Sequence, residues 1–228
     1  MSKTIRKPLI ITFIGPVGVG KTTQMKLLKQ YFEKRNAKTV VTYIKSAHGL
    51  SYLLLALIRV LRGRQDQTTS ENRNRIELTR RIDPLWHLTE TLSISTKFLF
   101  TVYLPFKLGY NVLMEEGVLM SIENYRRFRP KLLGLDSKEL PFLNTLLRWT
   151  QSQNHLDIIL DAREVEAKNR RLSRSFRRIE SNEYVDLQRK VMSSIKGPNV
   201  LYIDTSKRSA ESVHKMITNH IEKKIYKK

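Results

Sequence analysis

Five short apolar runs punctuate the chain, at Pro8–Ile14, Thr39–Ile44, Asn111–Met114, Leu156–Leu160 and Val200–Ile203. Each is rich in Ile, Val or Leu and alternates little with polar residues, the pattern of strands buried on both faces. Between them the apolar period lengthens. Met25, Leu28 and Phe32 predict a helix over residues 21–35. Val213, Ile217, Ile221 and Ile225, each four apart, predict another, with Ser209 as a candidate N-cap and Glu211 in the first turn. Strands alternating with helices predict an α/β fold: a parallel sheet of about five strands with helices on both faces. No internal repeat or low-complexity linker divides the chain, so 1–228 reads as a single domain.

Two stretches depart from the pattern. Arg59–Arg81 carries seven arginines, three acids and few apolar residues, and reads as a mobile basic excursion (59–81). Arg163–Arg178 carries seven basic residues and two acids, with Val165, Leu172 and Phe176 as its sparse apolar positions. A helix that polar is either a solvated face or a cover over something anionic.

Composition narrows the class. The 228 residues are 40% hydrophobic and 28% charged, which is globular and not disordered. There is no cysteine, which excludes a disulfide scaffold, a cysteine zinc site and a thiol nucleophile, and is compatible with the cytoplasm. The longest apolar run, Tyr52–Ile58, is far short of the roughly 20 residues that span a bilayer. The opening superficially copies a signal peptide, with Lys3, Arg6 and Lys7 before Leu9–Ile14, but no small-residue cleavage site comes after it. The net charge of +21 concentrates anions at the surface: nucleotides, nucleic acid and acidic membranes.

The residues after the first apolar run explain that run better. Gly15-Pro16-Val17-Gly18-Val19-Gly20-Lys21-Thr22 fits the phosphate-loop pattern G-x-x-x-x-G-K-[ST], between a predicted strand and a predicted helix. Glycines at 15, 18 and 20 let successive backbone N–H groups turn toward phosphate oxygens, and the helix start adds its positive dipole end. Lys21 can reach the β- and γ-phosphates of ATP, and the Thr22 hydroxyl can ligate Mg²⁺.

The stretch Phe13–Gln24, including Thr23-Gln24 after the loop, resembles the opening of the thymidylate kinases. Asp157–Asp161, then Glu164-Val165-Glu166-Ala167 and Arg170, resembles that family's approach to its lid, with Arg170 nine residues after Asp161. Val200–Asp204, Ser206 and the helix of Val213 resemble its last strand, adenine-side loop and closing helix. The resemblance implies a three-layer P-loop kinase fold with an arginine-rich lid over 163–178. It implies Mg²⁺ and ATP as cofactors, and phosphorylation of a nucleoside monophosphate, thymidine monophosphate first. It allows a homodimer.

The acceptor half departs from that family. Its phosphate-loop acid is Val17 here, and its Arg-Glu-Pro after the second strand is Ser46-Ala47-His48. Its Asp-Arg pair about ten residues before a proline falls on Ile94-Ser95, counted back from Pro105. Its Asp-Arg-Tyr after the third strand is Glu115-Glu116-Gly117, with Glu116 reversing the expected charge. A related kinase with another acceptor, or an ATP-dependent nucleic-acid-associated protein, are the alternatives, although no nucleic-acid recognition signature accompanies the charge.

The candidate catalytic residues are Lys21, Glu115, Arg170 and Arg174. Glu115 and Glu116 end a buried strand at its C-terminal edge, where open α/β sheets bind ligands. A carboxylate there can hold Mg²⁺ together with Thr22 or accept the acceptor's proton. Arg170, Arg174 and Arg177 or Arg178 share one helical face, suited to neutralising charge in phosphoryl transfer. Asp161 is a lid anchor by resemblance. The acceptor candidates are His48, Arg73, Arg75 and Glu116, with Arg80 and Arg81 beside them. Trp86, Tyr103 and Phe106 are expected in the core.

Overall fold

The computed structural model describes residues 7–44, 53, 83–123, 141–172 and 182–226. The apolar runs form five strands: β1 (Ile10–Ile14), β2 (Thr39–Tyr43), β3 (Asn111–Glu115), β4 (His155–Asp161) and β5 (Val200–Asp204). They assemble in the order β2-β3-β1-β4-β5, every pair parallel. Every residue of β1 and β3 is buried, as unalternated runs require. The edge strands β2 and β5 depart from that expectation: each is largely half-exposed, because a sheet edge has a neighbour on one side only.

Helices cover both faces. On one lie α1 (Lys21–Glu33) and the C-terminal helix α7 (Ala210–Tyr226). There Met25, Leu28 and Phe32 pack with Val213, Ile217 and Ile221 over Ile11, Phe13 and Ile158. The i, i+3, i+4, i+7 spacing sends these side chains to one stripe. Ser209 caps α7 as its sequence suggests, its Oγ accepting the Ser212 N–H at 3.1 Å. The other face carries α2 (Asp83–Phe98), a helix whose described part is 117–123 (α3), α4 (Pro141–Ser152) and α6 (Asn182–Ser194). Ile94, Phe98, Val102 and Phe106 pack there over Ile10, Val112 and Met114, and Val191 and Met192 over Ile14 and Ile159. The short α5 (Glu164–Leu172) comes after β4.

Helix α2 continues past Phe98 through a π-helical turn, Leu99–Tyr103, into one α-turn, Leu104–Lys107. The cause is Pro105, which has no N–H and whose ring would crowd the preceding turn of a regular helix. Phe98, Tyr103 and Phe106 then close around Trp149 of α4, with ring centroids 5.6, 5.1 and 5.8 Å away. Phe106 is thus a core residue, as expected, whereas Tyr103 is half-buried against the core and the Trp86 side chain lies outside the described residues. No helix among the described residues is long and apolar enough to cross a membrane.

Candidate active site

The loop from Gly15 to Gly20 leaves β1 at the middle of the sheet and enters α1. Gly15 has φ 150°, and a Cβ placed there would lie 2.0 Å from the carbonyl oxygen of Leu160 on β4. No residue but glycine fits, so the root of the loop is pressed against the neighbouring strand. Gly20, at φ 100°, precedes α1 without a side-chain cap, and the first turn of α1 holds no acid. An anion at the first turn of α1 would sit in the favourable field of the helix start. Val19 is buried in the core and fixes the back of the loop.

Three polar side chains converge beneath it. Strands β1 and β3 pair Phe13 with Glu115, which sets the Glu115 carboxylate beside the loop. Lys21, only 5% exposed, donates from Nζ to the carbonyls of Gly15 at 2.5 Å and Pro16 at 3.0 Å. The same ammonium stands 3.7 Å from Glu115 Oε1. The Thr22 hydroxyl donates to Glu115 Oε2 at 3.4 Å. A buried ammonium and a buried carboxylate require each other, because neither is stable there alone. Thr22 and Glu115 offer two hard oxygen donors side by side. That suits Mg²⁺, which keeps several waters and takes few protein ligands. Thr23, half-buried, completes the first turn of α1.

On the β4/β5 side, Arg170 of α5 is turned toward the loop after β5. Its Nη1 donates to Thr205 Oγ1 at 3.1 Å, and its Nη2 to the carbonyls of Thr205 at 2.7 Å and Ser206 at 3.4 Å. Thr205 is 3% exposed, and its hydroxyl lies 3.1 Å from both the Val19 and Asp161 carbonyls. Arg170, expected as a catalytic lid arginine, has a bracing geometry that runs through Thr205 to the phosphate loop. Nothing in the sequence marks Thr205 beyond its place after a strand. Ser206 Oγ accepts the Arg163 N–H at 2.8 Å and donates to Asp204 at 2.6 Å. Those serine hydrogen bonds, the hydroxyl's first and the backbone N–H second, hold the Asp204 carboxyl below its ordinary value. Asp161 accepts the Ala162 N–H at 2.8 Å and the Tyr202 hydroxyl at 3.2 Å, and lies 3.5 Å from Arg189 Nε. It anchors the start of α5. Gln24 donates to the Ala210 carbonyl at 2.8 Å, tying α1 to the start of α7.

The β2/β3 side has a different chemistry. Glu116, directly after β3, is 7% exposed, and its N–H donates to the Phe13 carbonyl at 2.9 Å. It stands at φ 67°, left-handed without being glycine, and Gly117 comes next at φ 71°. A Cβ on Gly117 would lie 2.8 Å from Thr12 Cγ2. On α2, Ile94 is buried in the core, and Ser95 spends its hydroxyl on the Thr91 carbonyl at 2.6 Å. Val17 of the loop is half-exposed. His48, Arg73, Arg75, Arg80 and Arg81 lie outside the described residues, as do Ser46, Arg174, Arg177 and Arg178.

No family model and no curated protein matches the sequence. Solved structures do match the fold. The thymidylate kinase of Candida albicans superposes with a TM-score of 0.58 at 12% identity, over 96% of this chain and 92% of that one. The thymidylate kinase of Ehrlichia chaffeensis gives 0.48 at 17% identity, over 95% and 99%. A five-stranded parallel sheet between two helical layers, with a phosphate loop on its central strand, is the P-loop kinase fold of the thymidylate kinases.

Proposed function

We propose that this protein is a Mg²⁺-dependent phosphotransferase that moves the γ-phosphoryl group of ATP to a small acceptor on the β2/β3 side of the loop. The observation that supports it most directly is the convergence of Lys21, Thr22 and Glu115 beneath a loop of backbone donors. The loop N–H groups hold the phosphates. Lys21 exchanges the Gly15 and Pro16 carbonyls for the β- and γ-phosphate oxygens. Thr22 and Glu115 would hold Mg²⁺, which when bound neutralises charge on those oxygens. The nucleoside end of ATP lies toward the loop braced by Arg170 and Thr205. The lid segment 163–178, with Arg174, closes over the phosphates and excludes water that would otherwise take the phosphoryl group.

Thymidine monophosphate, the acceptor suggested by resemblance, is the first compound to assay. ADP release is measured with ATP, Mg²⁺ and a panel of nucleoside monophosphates, with and without chelator. Lys21→Ala is expected to abolish transfer while circular dichroism stays native. Undiminished turnover in that variant would refute the kinase reading.

We also propose that two copies pair through α2. Leu88, Leu92, Leu99, Phe100, Leu104 and Leu108 recur along that helix and its extension, between 39% and 72% exposed. The stripe is ~30 Å long at 1.5 Å per residue. Such a length suits a standard interface of ~800 Å² per partner. In a chain of net charge +21, a stripe interrupted by few charges is where two copies meet with least repulsion.

A further inference from the structure

We propose that the outward face of α1 and α7 binds the phosphate backbone of a DNA duplex without reading its sequence. The proposal concerns the outer surface of two helices and does not depend on the phosphotransferase reading above.

The charge of the chain is unevenly placed. Residues 26–38 carry five bases and one acid. Residues 83–123, which form α2, β3 and the start of α3, carry two bases and five acids. Helices α1 and α2 lie on opposite faces of the sheet, so positive charge is concentrated on the α1 side.

On that side the cations follow a pattern. Met25, Leu28 and Phe32 of α1 and Val213, Ile217 and Ile221 of α7 face the sheet. Turned away from it, α1 presents Lys26, Gln30 and Lys34, and α7 presents Lys215, Asn219 and Lys223, all six exposed. Each helix thus shows two ammoniums with an amide between them, four residues apart. Eight residues at ~1.5 Å each put the two lysines of a row about 12 Å apart.

Two contacts set the rows side by side. Gln24 donates to the Ala210 carbonyl at 2.8 Å near the start of both helices, and Arg35 meets Glu222 at 3.3 Å near their ends. The helices therefore run in the same direction, with Lys26 level with Lys215 and Lys34 level with Lys223. Packed helices lie ~8–10 Å apart, which sets the distance between rows. The acids of this face are engaged elsewhere. Glu33 pairs with Lys29 at 3.6 Å, Glu222 with Arg35, and Glu211 hydrogen-bonds its own N–H and Ser209. No described carboxylate pairs with any of the four row lysines.

The face selects its partner by what it has and what it lacks. Among the described residues, no large apolar side chain is exposed on α1 or α7. A lipid surface is offered nothing to bury there, and an unpaired base nothing to stack on. A duplex backbone needs neither. Lysine, asparagine and glutamine are side chains that meet phosphate oxygens and hold a duplex in place without sequence information. The two backbones bordering a B-DNA minor groove ~6 Å wide stand about 12 Å apart between phosphorus centres, which is the lysine spacing within each row. The wide minor groove of an RNA duplex does not match it.

The test titrates the full chain, without ATP, against a fluorescein-labelled DNA duplex by anisotropy from ~50 to ~200 mM salt. The four lysines are expected to contribute about −3.6 to the slope of log affinity on log salt, at ~0.9 each, or ~150-fold in affinity over that range. Lys26→Gln, Lys34→Gln, Lys215→Gln and Lys223→Gln combined are expected to remove that part of the slope while circular dichroism stays native. Lys26→Gln with Lys34→Gln alone is expected to remove about half of it. A control with the same loss of charge on the opposite layer, Lys107→Gln, Arg148→Gln, Lys190→Gln and Lys196→Gln, is expected to keep the parent slope within ~1. An RNA duplex, a DNA single strand and phosphatidylserine–phosphatidylcholine vesicles are each expected to bind more weakly than the DNA duplex. No duplex binding by the parent, an unchanged slope in the four-lysine variant, or an equal fall in the control would each overturn the proposal. So would tighter binding to the RNA duplex, the single strand or the vesicles.

Discussion

Replacing Arg170 with alanine separates two roles that one arginine near a phosphate loop can play. If its charge serves the transition state, the variant loses kcat and keeps its affinity for ATP. If it braces the loop after β5, the variant loses affinity first. The geometry favours the brace. Two contacts, at 2.7 and 3.1 Å, are good hydrogen bonds, and the third, at 3.4 Å, is weak. Bonds from a charged donor contribute ~1.5–3 kcal/mol each when buried. Arg170 is only half-buried, and water replaces part of what is lost, so ~2 kcal/mol in loop order is a fair expectation. At ~1.4 kcal/mol per tenfold, ATP binding weakens about 30-fold. Titration calorimetry with ATP gives the affinity, and initial rates at saturating ATP give kcat. Thr205→Val removes the hydroxyl that lies beside Val19 and accepts from Arg170, and is expected to shift affinity in the same direction by less. Unchanged ATP affinity with kcat down ~10²-fold or more would refute the brace and return Arg170 to the transition state.

Two further outcomes can be checked without a substrate. Burial raises the Asp157 carboxyl above its ordinary value, outweighing His155, the Thr12 hydrogen bond and Lys224, which lower it. The native state therefore holds that proton more tightly than the unfolded chain does. Stability from this group is present below the unfolded value of ~4 and is lost as pH rises through the folded one. Asp157→Asn is expected to shrink the difference between urea midpoints at about pH 4 and pH 7, and an unchanged difference counts against this account. Leu92→Glu combined with Phe100→Glu is expected to convert dimer to monomer in light scattering without loss of helical signal. A parent chain already monomeric at ~50 μM would end the pairing proposal.

Much of the fold was legible because burial leaves its mark on composition. Strands β1 and β3 read as unbroken apolar runs since both their faces are covered. The phosphate loop read clearly because close backbone approach admits only glycine at its root, as Gly15 against Leu160 demonstrates. The π-turn did not read, although Pro105 was in view. Whether a helix breaks or widens at proline depends on what surrounds it, here the ring cluster on Trp149. Thr205 was invisible for a simpler reason. Its hydroxyl works only in three dimensions, between residues 19, 161 and 170, and a lone threonine after a strand has no local signature. Arg170 was singled out by the resemblance, which implies a lid arginine nine residues after Asp161, but a resemblance cannot tell which way a guanidinium turns.

Strand β1 has a consequence for how such a protein diverges. It lies at the centre of the sheet, with β3 and β2 on one flank and β4 and β5 on the other. The hydrogen bonds that run from Arg170 through Thr205 to Val19 belong to the β4/β5 flank, while Glu115 of β3 meets the loop from the other side through Lys21 and Thr22. Substitutions on the β2/β3 flank other than at Glu115 are therefore expected to leave the brace around Thr205 intact, and those near Thr205 to leave β2 and β3 intact. Each half can drift under its own selection while the spine between them stays fixed. A scaffold partitioned in this way can alter one flank in small viable steps while the other is kept.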